Sequence, residues 1–214
     1  MTVRVYYDND ASAPVLTGLA GSLVSVLDAC LLNGYGSKDA AGWTKEFSAA
    51  NQAVYRAPSG LRHYFRVDDT SDQGARIRGY ETMSDISTGT GPFPTDAQVN
   101  GGLHLRKSNA ASSGPRGWCV IASDTGVFIL PNSTQTSWVS AYGVDGNQAY
   151  FGEFDSRVAG DNYNTCIIGA VNSGIHQNRM NFMTSSGCYS PRSYLQTGTS
   201  WGNYRVAELD PSIA

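Results

Sequence analysis

The sequence predicts an α+β, β-rich fold. It reads as mainly an antiparallel sheet or sandwich with one N-terminal amphipathic helix packed on it, in a single domain spanning 1–214. Three observations carry this. Glycine accounts for 24 of 214 residues without a collagen-like period, so the chain turns often. Two stretches alternate apolar and polar side chains with the period of a half-buried strand. One stretch near the start carries an apolar stripe at helical spacing.

The helix comes first. Leu23, Val24, Val26, Leu27, Cys30 and Leu31 recur at i, i+3, i+4, i+7 and i+8, which predicts a buried helix over about 20–32. Ser22 is placed to cap its start, and Asn33-Gly34 to stop it. A second, short helix is expected after Thr95, in Asp96-Ala-Gln-Val-Asn100.

Strands account for most of the rest. Residues 2–7 open the chain as a strand, and 52–56 form another. Over 61–67, Leu61, His63, Phe65 and Val67 face one way, and Arg62, Tyr64 and Arg66 the other. Over 75–81, Ala75, Ile77 and Gly79 oppose Arg76, Arg78 and Tyr80. The intervening Asp68-Asp-Thr-Ser-Asp-Gln-Gly74 is turn chemistry, so these two strands form a hairpin. A second hairpin pairs Trp118–Ala122 with Gly126–Leu130, and further strands fit 137–143, 148–154, 164–171 and 203–208. Ser84–Pro94 and Ser108–Gly117 read as loops. The stretch 172–202, rich in Ser, Asn, Gly and Thr, reads as an irregular region or an arm wrapping a neighbour.

Composition narrows the function classes. Charged residues make up 15%, well below the roughly 25% of an average soluble domain, and aromatics reach 11%. That excludes a disordered chain. A net charge of −3 disfavours a nucleic-acid coat protein. The opening lacks the apolar run of a signal peptide, and Ser22–Leu32, broken by Ser25 and Asp28, falls far short of the ~20 residues that span a bilayer. No membrane partner is expected. Cys30, Cys119, Cys166 and Cys188 include no Cys-x-x-Cys pair, so buried free thiols are expected. Cys119 and Cys166 each begin an apolar stretch that could lie on neighbouring strands.

No catalytic constellation assembles. Gly198-Thr-Ser200-Trp-Gly202 matches the nucleophile-elbow pattern, but only twelve residues follow Gly202 and the histidine the triad needs after the serine is missing, since the last one, His176, lies upstream. His63, His104 and His176 are too far apart to suggest a metal site, and His63 falls on an apolar strand face. Asp145-Gly-Asn147 starts like a calcium loop, but Tyr150 stands at the glycine position and Ser156 at the bidentate one. The Asp68–Asp72 turn reads as solvated rather than cation-binding. Glu153 and Asp155 share a strand face, a weak match to a glycosidase pair. Gly34-Tyr-Gly36 and Gly89-Thr-Gly91 do not extend to a nucleotide-binding fingerprint. No catalytic residue, metal or cofactor is expected.

The first hairpin is the candidate binding surface. Arg62, Tyr64, Arg66, Arg76, Arg78 and Tyr80 share one of its faces. Arg and Tyr are enriched at protein interfaces, which favours a docking face over a solvated one or a single-strand nucleic-acid platform. Asp68, Asp69 and Glu81 lie near enough in sequence to pair with those arginines.

These residues sit within a broader resemblance. The opening strand is followed by Ala13-Pro-Val-Leu-Thr-Gly-Leu-Ala-Gly-Ser22 and Leu23-Val-Ser-Val-Leu-Asp-Ala-Cys-Leu-Leu-Asn-Gly-Tyr-Gly36. Ala41-Gly-Trp-Thr-Lys45, Gln52-Ala-Val-Tyr-Arg56 and Val67-Asp-Asp69 come next. The strongest stretches are Arg76-Ile-Arg-Gly-Tyr-Glu-Thr-Met-Ser-Asp85 and Thr88-Gly-Thr-Gly-Pro-Phe-Pro94, followed by Arg116-Gly-Trp118, Phe151-Gly-Glu-Phe154 and Gly160-Asp161. Together they resemble a family of tailed-bacteriophage virion proteins over roughly the first three-quarters of the chain. The resemblance implies a non-enzymatic structural subunit of the head, neck, tail or baseplate. Such a subunit would assemble in the bacterial host cytoplasm, with other virion proteins and copies of itself as partners. It lends no catalytic residues. The rival reading is a carbohydrate-binding or depolymerase-like module at the host-contacting end of a tail, with Trp138, Tyr142 and Trp201 stacking on sugars.

Overall fold

A computed structural model of the chain describes residues 2–138, 148–155, 160–171 and 186–191. The expected strand 203–208, the Gly198–Gly202 motif, Tyr142, His176, Trp201 and most of 172–202 lie outside these residues.

The strands are β1 (Arg4–Tyr7), β2 (Thr44–Ala49), β3 (Gln52–Arg56), β4 (Tyr64–Asp68), β5 (Gly74–Met83) and β6 (Gly89–Phe93). They continue with β7 (Leu103–Arg106), β8 (Gly117–Ala122), β9 (Gly126–Asn132), β10 (Ala149–Glu153), β11 (Thr165–Ala170) and β12 (Ser186–Tyr189). All join one 12-stranded antiparallel sheet in the order β1-β8-β9-β10-β11-β7-β5-β4-β3-β2, with β12 on β11 and β6 on β5. The β-rich, antiparallel expectation holds. The β8–β9 half meets the β4–β5 half through the Ala170↔His104 bridge between β11 and β7.

Period-two alternation decides which face is buried. Tyr6, Tyr55, Phe65, Val67, Ile77, Leu103, Val127, Phe151 and Ile167 all belong to one core cluster. The sheet curls until its two halves touch across that core. Phe65 of β4 stacks on Phe151 of β10 at 4.7 Å, and Trp43 and Phe93 also pack on Phe151. Phe93 reaches the core because β6 runs beside Gly79, where an added Cβ would stand 2.2 Å from the Phe93 ring. The stretch Ser84–Pro94 is therefore not all loop. Its Gly-Thr-Gly-Pro-Phe strand has no alternation to betray it, and pairing with β5 supplies the order.

The helix α1 spans Ser22–Asp28 and passes into a π-helical turn, Ala29–Asn33, closed by Gly34 at φ 72°. Leu23, Val24, Val26, Leu27, Cys30 and Leu31 join the same core as the inner sheet face. At its far end Asp28 accepts hydrogen bonds from Tyr55 Oη at 2.8 Å and Lys45 Nζ at 2.5 Å. Ser22 is not the N-cap. Gly21 occupies that position at φ 82° without a side-chain cap, and the carboxylate of Asp69 accepts from the Leu23 and Val24 N–H groups instead. A distant acceptor replaces the local one, so the cap also fixes the helix against β4. The expected helix after Thr95 is only a turn, because Gly101 and Gly102, at φ 75° and 100°, end it after a single Val99 N–H to Thr95 carbonyl bond.

Asp69 lies at a buried node. It pairs with Lys107 Nζ, and both side chains are fully buried. Lys107 also donates to the Leu19 carbonyl. Burial pushes the Asp69 carboxyl above the usual carboxylate range, while Lys107 and the two helix N–H groups pull the other way. The Asp68–Asp72 turn is therefore partly interior. Asp69 faces Lys107, and Asp72 accepts from Ala20 N–H.

Candidate functional site

The β4–β5 register confirms the shared face for five of the six predicted residues. Tyr64 lies opposite Tyr80, Arg66 opposite Arg78, and Asp68 opposite Arg76. Arg62 is the exception. It sits at φ 57° before β4 begins, in a turn where its Nε donates to the Ala57 carbonyl and its own carbonyl accepts from Arg56 Nε. Glu153 tightens the same turn by accepting from Leu61 N–H, so this carboxylate is engaged in structure rather than poised beside Asp155.

The arginines on the face are mostly held by the chain's own loops. Arg78 is 6% exposed and bonds to Asp96 at 2.6 Å and to the Val99 carbonyl. Arg66 reaches the Ile86 carbonyl and Asp68. Arg76 donates to the carbonyls of Asn100 and Gly102. Tyr80 is 8% exposed. Two of the six predicted residues, Arg78 and Tyr80, therefore present almost no surface. Of the predicted acidic partners, Asp68 pairs with an arginine of the face, and Asp96, outside the expectation, pairs with another. A nucleic-acid platform free of carboxylates is not what this face offers.

Around Tyr64 the face becomes apolar. Val54, Tyr80 and Met83 form a second hydrophobic cluster, separate from the main core, with Phe47, Tyr64 and Ile86 half-buried against it. Phe47 stacks on Tyr64 with ring centroids 6.3 Å apart, and the Arg56 guanidinium lies 4.4 Å above the Tyr64 ring. Phe47 comes from β2, the last strand of the sheet order, which carries a bulge between Lys45 and Phe47. Sequence reasoning missed Phe47, Arg56 and Ile86. β2 is exposed at four of its six positions, so it offers no period-two signal.

At the turn end of the hairpin lies a groove of about 360 Å³ lined by Asp68, Asp72, Gly74, Arg76, His104 and Arg106, among others. His104 faces Arg76 across the β5–β7 pair, and Arg106 faces Gly74. Burial, and then the neighbouring Arg76, lower the His104 pKa to about 4. His63 is a satisfied interior imidazole, with Nδ1 2.7 Å from Thr165 Oγ1, and burial lowers its pKa too.

The four cysteines are free thiols, three of them buried and Cys188 partly exposed. Cys119 and Cys166 are not on neighbouring strands, since β9 and β10 separate β8 from β11. Cys188 on β12, opposite Ile168, is the thiol that interacts with Cys166. Interaction between the two thiols holds Cys188 below the usual thiol range and, together with burial, pushes Cys166 above it.

Comparison of the chain with protein-family models, with curated proteins and with solved structures returned no match. The site is therefore interpreted from its own chemistry. Among the described residues, no group of three or more His, Cys, Asp or Glu converges to hold a metal ion. No described helix is long and apolar enough to cross a membrane. Of the aromatics expected to stack on sugars, Trp138 is half-buried, with its backbone N–H donating to Asp8, and Tyr142 and Trp201 lie outside the described residues.

Proposed function

We propose that this chain is a non-enzymatic structural subunit of a tailed-bacteriophage particle, docking to other particle proteins and to copies of itself. The observation that carries the reading is the second hydrophobic cluster on the outer sheet face. Half-buried Phe47, Tyr64 and Ile86 are rimmed by Arg56 and Arg66, beside the terminal strand β2. An aromatic centre with an arginine rim is the composition that concentrates binding energy at protein interfaces. The resemblance of Arg76–Asp85 and Thr88–Pro94 to virion proteins supplies the kind of partner. The docking centre moves from the predicted Arg78 and Tyr80, which are buried, towards Phe47, Tyr64 and Arg66.

A particle joint must bury more than about 1,000 Å², usually in symmetric copies. Light scattering on the full chain, alone and with particle-derived partners, tests this. A closed oligomer, or one formed only with a partner, is expected. Phe47→Asp, at a half-exposed position on the terminal strand, should abolish it while leaving the circular dichroism unchanged. A monomer that ignores every particle component refutes the reading and turns attention to glycan binding.

A further inference from the structure

We propose that the groove at the turn end of the β4–β5 hairpin binds a single oxyanion, a carboxylate or phosphate group on a small molecule. This does not rest on the docking role. Arg76 and Arg106 lie on one face of adjacent strands, beside His104 and Gly74 respectively, and both residues line the groove. Elsewhere on this face Arg66 and Arg78 have carboxylate partners, Asp68 and Asp96. Arg76 and Arg106 have none among the described residues, and Arg106 Nε is buried without an acceptor among them. Arg76 is nonetheless fixed in place by the carbonyls of Asn100 and Gly102, and Arg106 by Gln73 Oε1 at 3.4 Å. Positioned guanidinium forks with no carboxylate at ion-pair distance match an oxyanion.

Gly74 supplies the room. Its φ lies outside the left-handed region, and a Cβ built there would meet nothing closer than the Leu105 carbonyl at 3.5 Å. The backbone does not require glycine at this position, so its effect is an open floor beside Arg106. The rim limits what can enter. Asp68, already paired with Arg66, and Asp72, which accepts from Ala20 N–H, both line the groove. A polyanionic strand would bring several phosphates against these carboxylates, whereas one anionic group can sit over Gly74, beside Arg106 and the neutral His104 ring.

The test follows the His104 ring by NMR in the full chain, with inorganic phosphate and, separately, acetate, each at constant ionic strength. His104→Gln assigns the resonance. A saturable shift is expected, with a dissociation constant on the order of 1 mM. It should be accompanied by a rise in the His104 titration midpoint from about 4, because a bound anion stabilises the imidazolium. Saturation by phosphate alone assigns a phosphorylated ligand; saturation by acetate assigns a carboxylate. Gly74→Leu, which fills the floor, and Arg106→Gln, which removes one cation, should each abolish the shift. The proposal is overturned if neither anion saturates, or if the shift survives in both variants.

Discussion

Replacing Lys107 with methionine keeps most of the side-chain volume and removes the counter-charge from a fully buried carboxylate. Breaking one partner of a buried pair costs about 3–5 kcal/mol, because the remaining charge is stranded in a medium that solvates it poorly. Asp69 keeps its two helix N–H donors, from Leu23 and Val24, so a loss near the lower end, about 3 kcal/mol, is expected. For a chain of this size that lowers the melting midpoint by roughly 10 °C. The pH dependence separates a stranded charge from lost packing. Burial already raises the Asp69 pKa, and losing Lys107 removes one of the influences that lower it. In the variant the folded state binds this proton more readily than the unfolded chain. Its stability therefore rises relative to the parent as pH falls from 7 towards 5. Urea unfolding at both pH values measures the difference. A loss under about 1 kcal/mol, or one independent of pH, refutes the view that this pair holds the helix cap in place. Adding Asp69→Asn should return part of the loss, since the two positions are in direct contact.

Other outcomes follow from single contacts. Gly79→Val places a side chain within the space of the Phe93 ring and should destabilise by about 2 kcal/mol or more in urea titration. His63 and His104 both have lowered folded pKa values, so the unfolded chain takes up their protons first as pH falls. Calorimetry should show stability declining below about pH 6.5, with the His104 contribution fully lost near pH 4, where it protonates in the fold. With a disulfide-exchange reagent at pH 8, Cys188 should react first and Cys30, Cys119 and Cys166 only on unfolding, because Cys188 is the partly exposed thiol and its pKa is lowered. Mass mapping of the first labelled cysteine checks this.

Legibility in the sequence followed how local each cause is. β3 was readable to its ends, and both hairpins were placed by their turn chemistry and alternation. The helical stripe named the core residues correctly, because one face of a helix carries its own periodicity. The cap was not readable, since its acceptor lies 46 residues from Leu23. β2, β6, β7 and β12 escaped for separate reasons: β2 is too exposed, β6 too rich in glycine, β7, at four residues, too short for a pattern, and β12 lies within 172–202, read as irregular, where pairing with β11 supplies the order. The arginine face was legible as a face but not in its exposure. Loops 84–88 and 95–102 fold over it through carbonyls that no spacing rule announces. With β7 itself unseen, Arg106 was missed, and His104 was read only as one of three scattered histidines.

The pairing of β1 with β8 has a consequence for synthesis. Tyr6 meets Val120 in the finished sheet, so the first strand leaves the ribosome more than a hundred residues before its partner strand β8 exists. At ordinary elongation rates of about 5–20 residues per second, that is a wait on the order of ten seconds. During that time the β2–β5 meander can close on itself, because its pairings are all between neighbours in sequence. The order of emergence therefore makes the β4–β5 half a platform that forms early. The opening strand therefore finds its place only after that platform has formed and has to fit beside it.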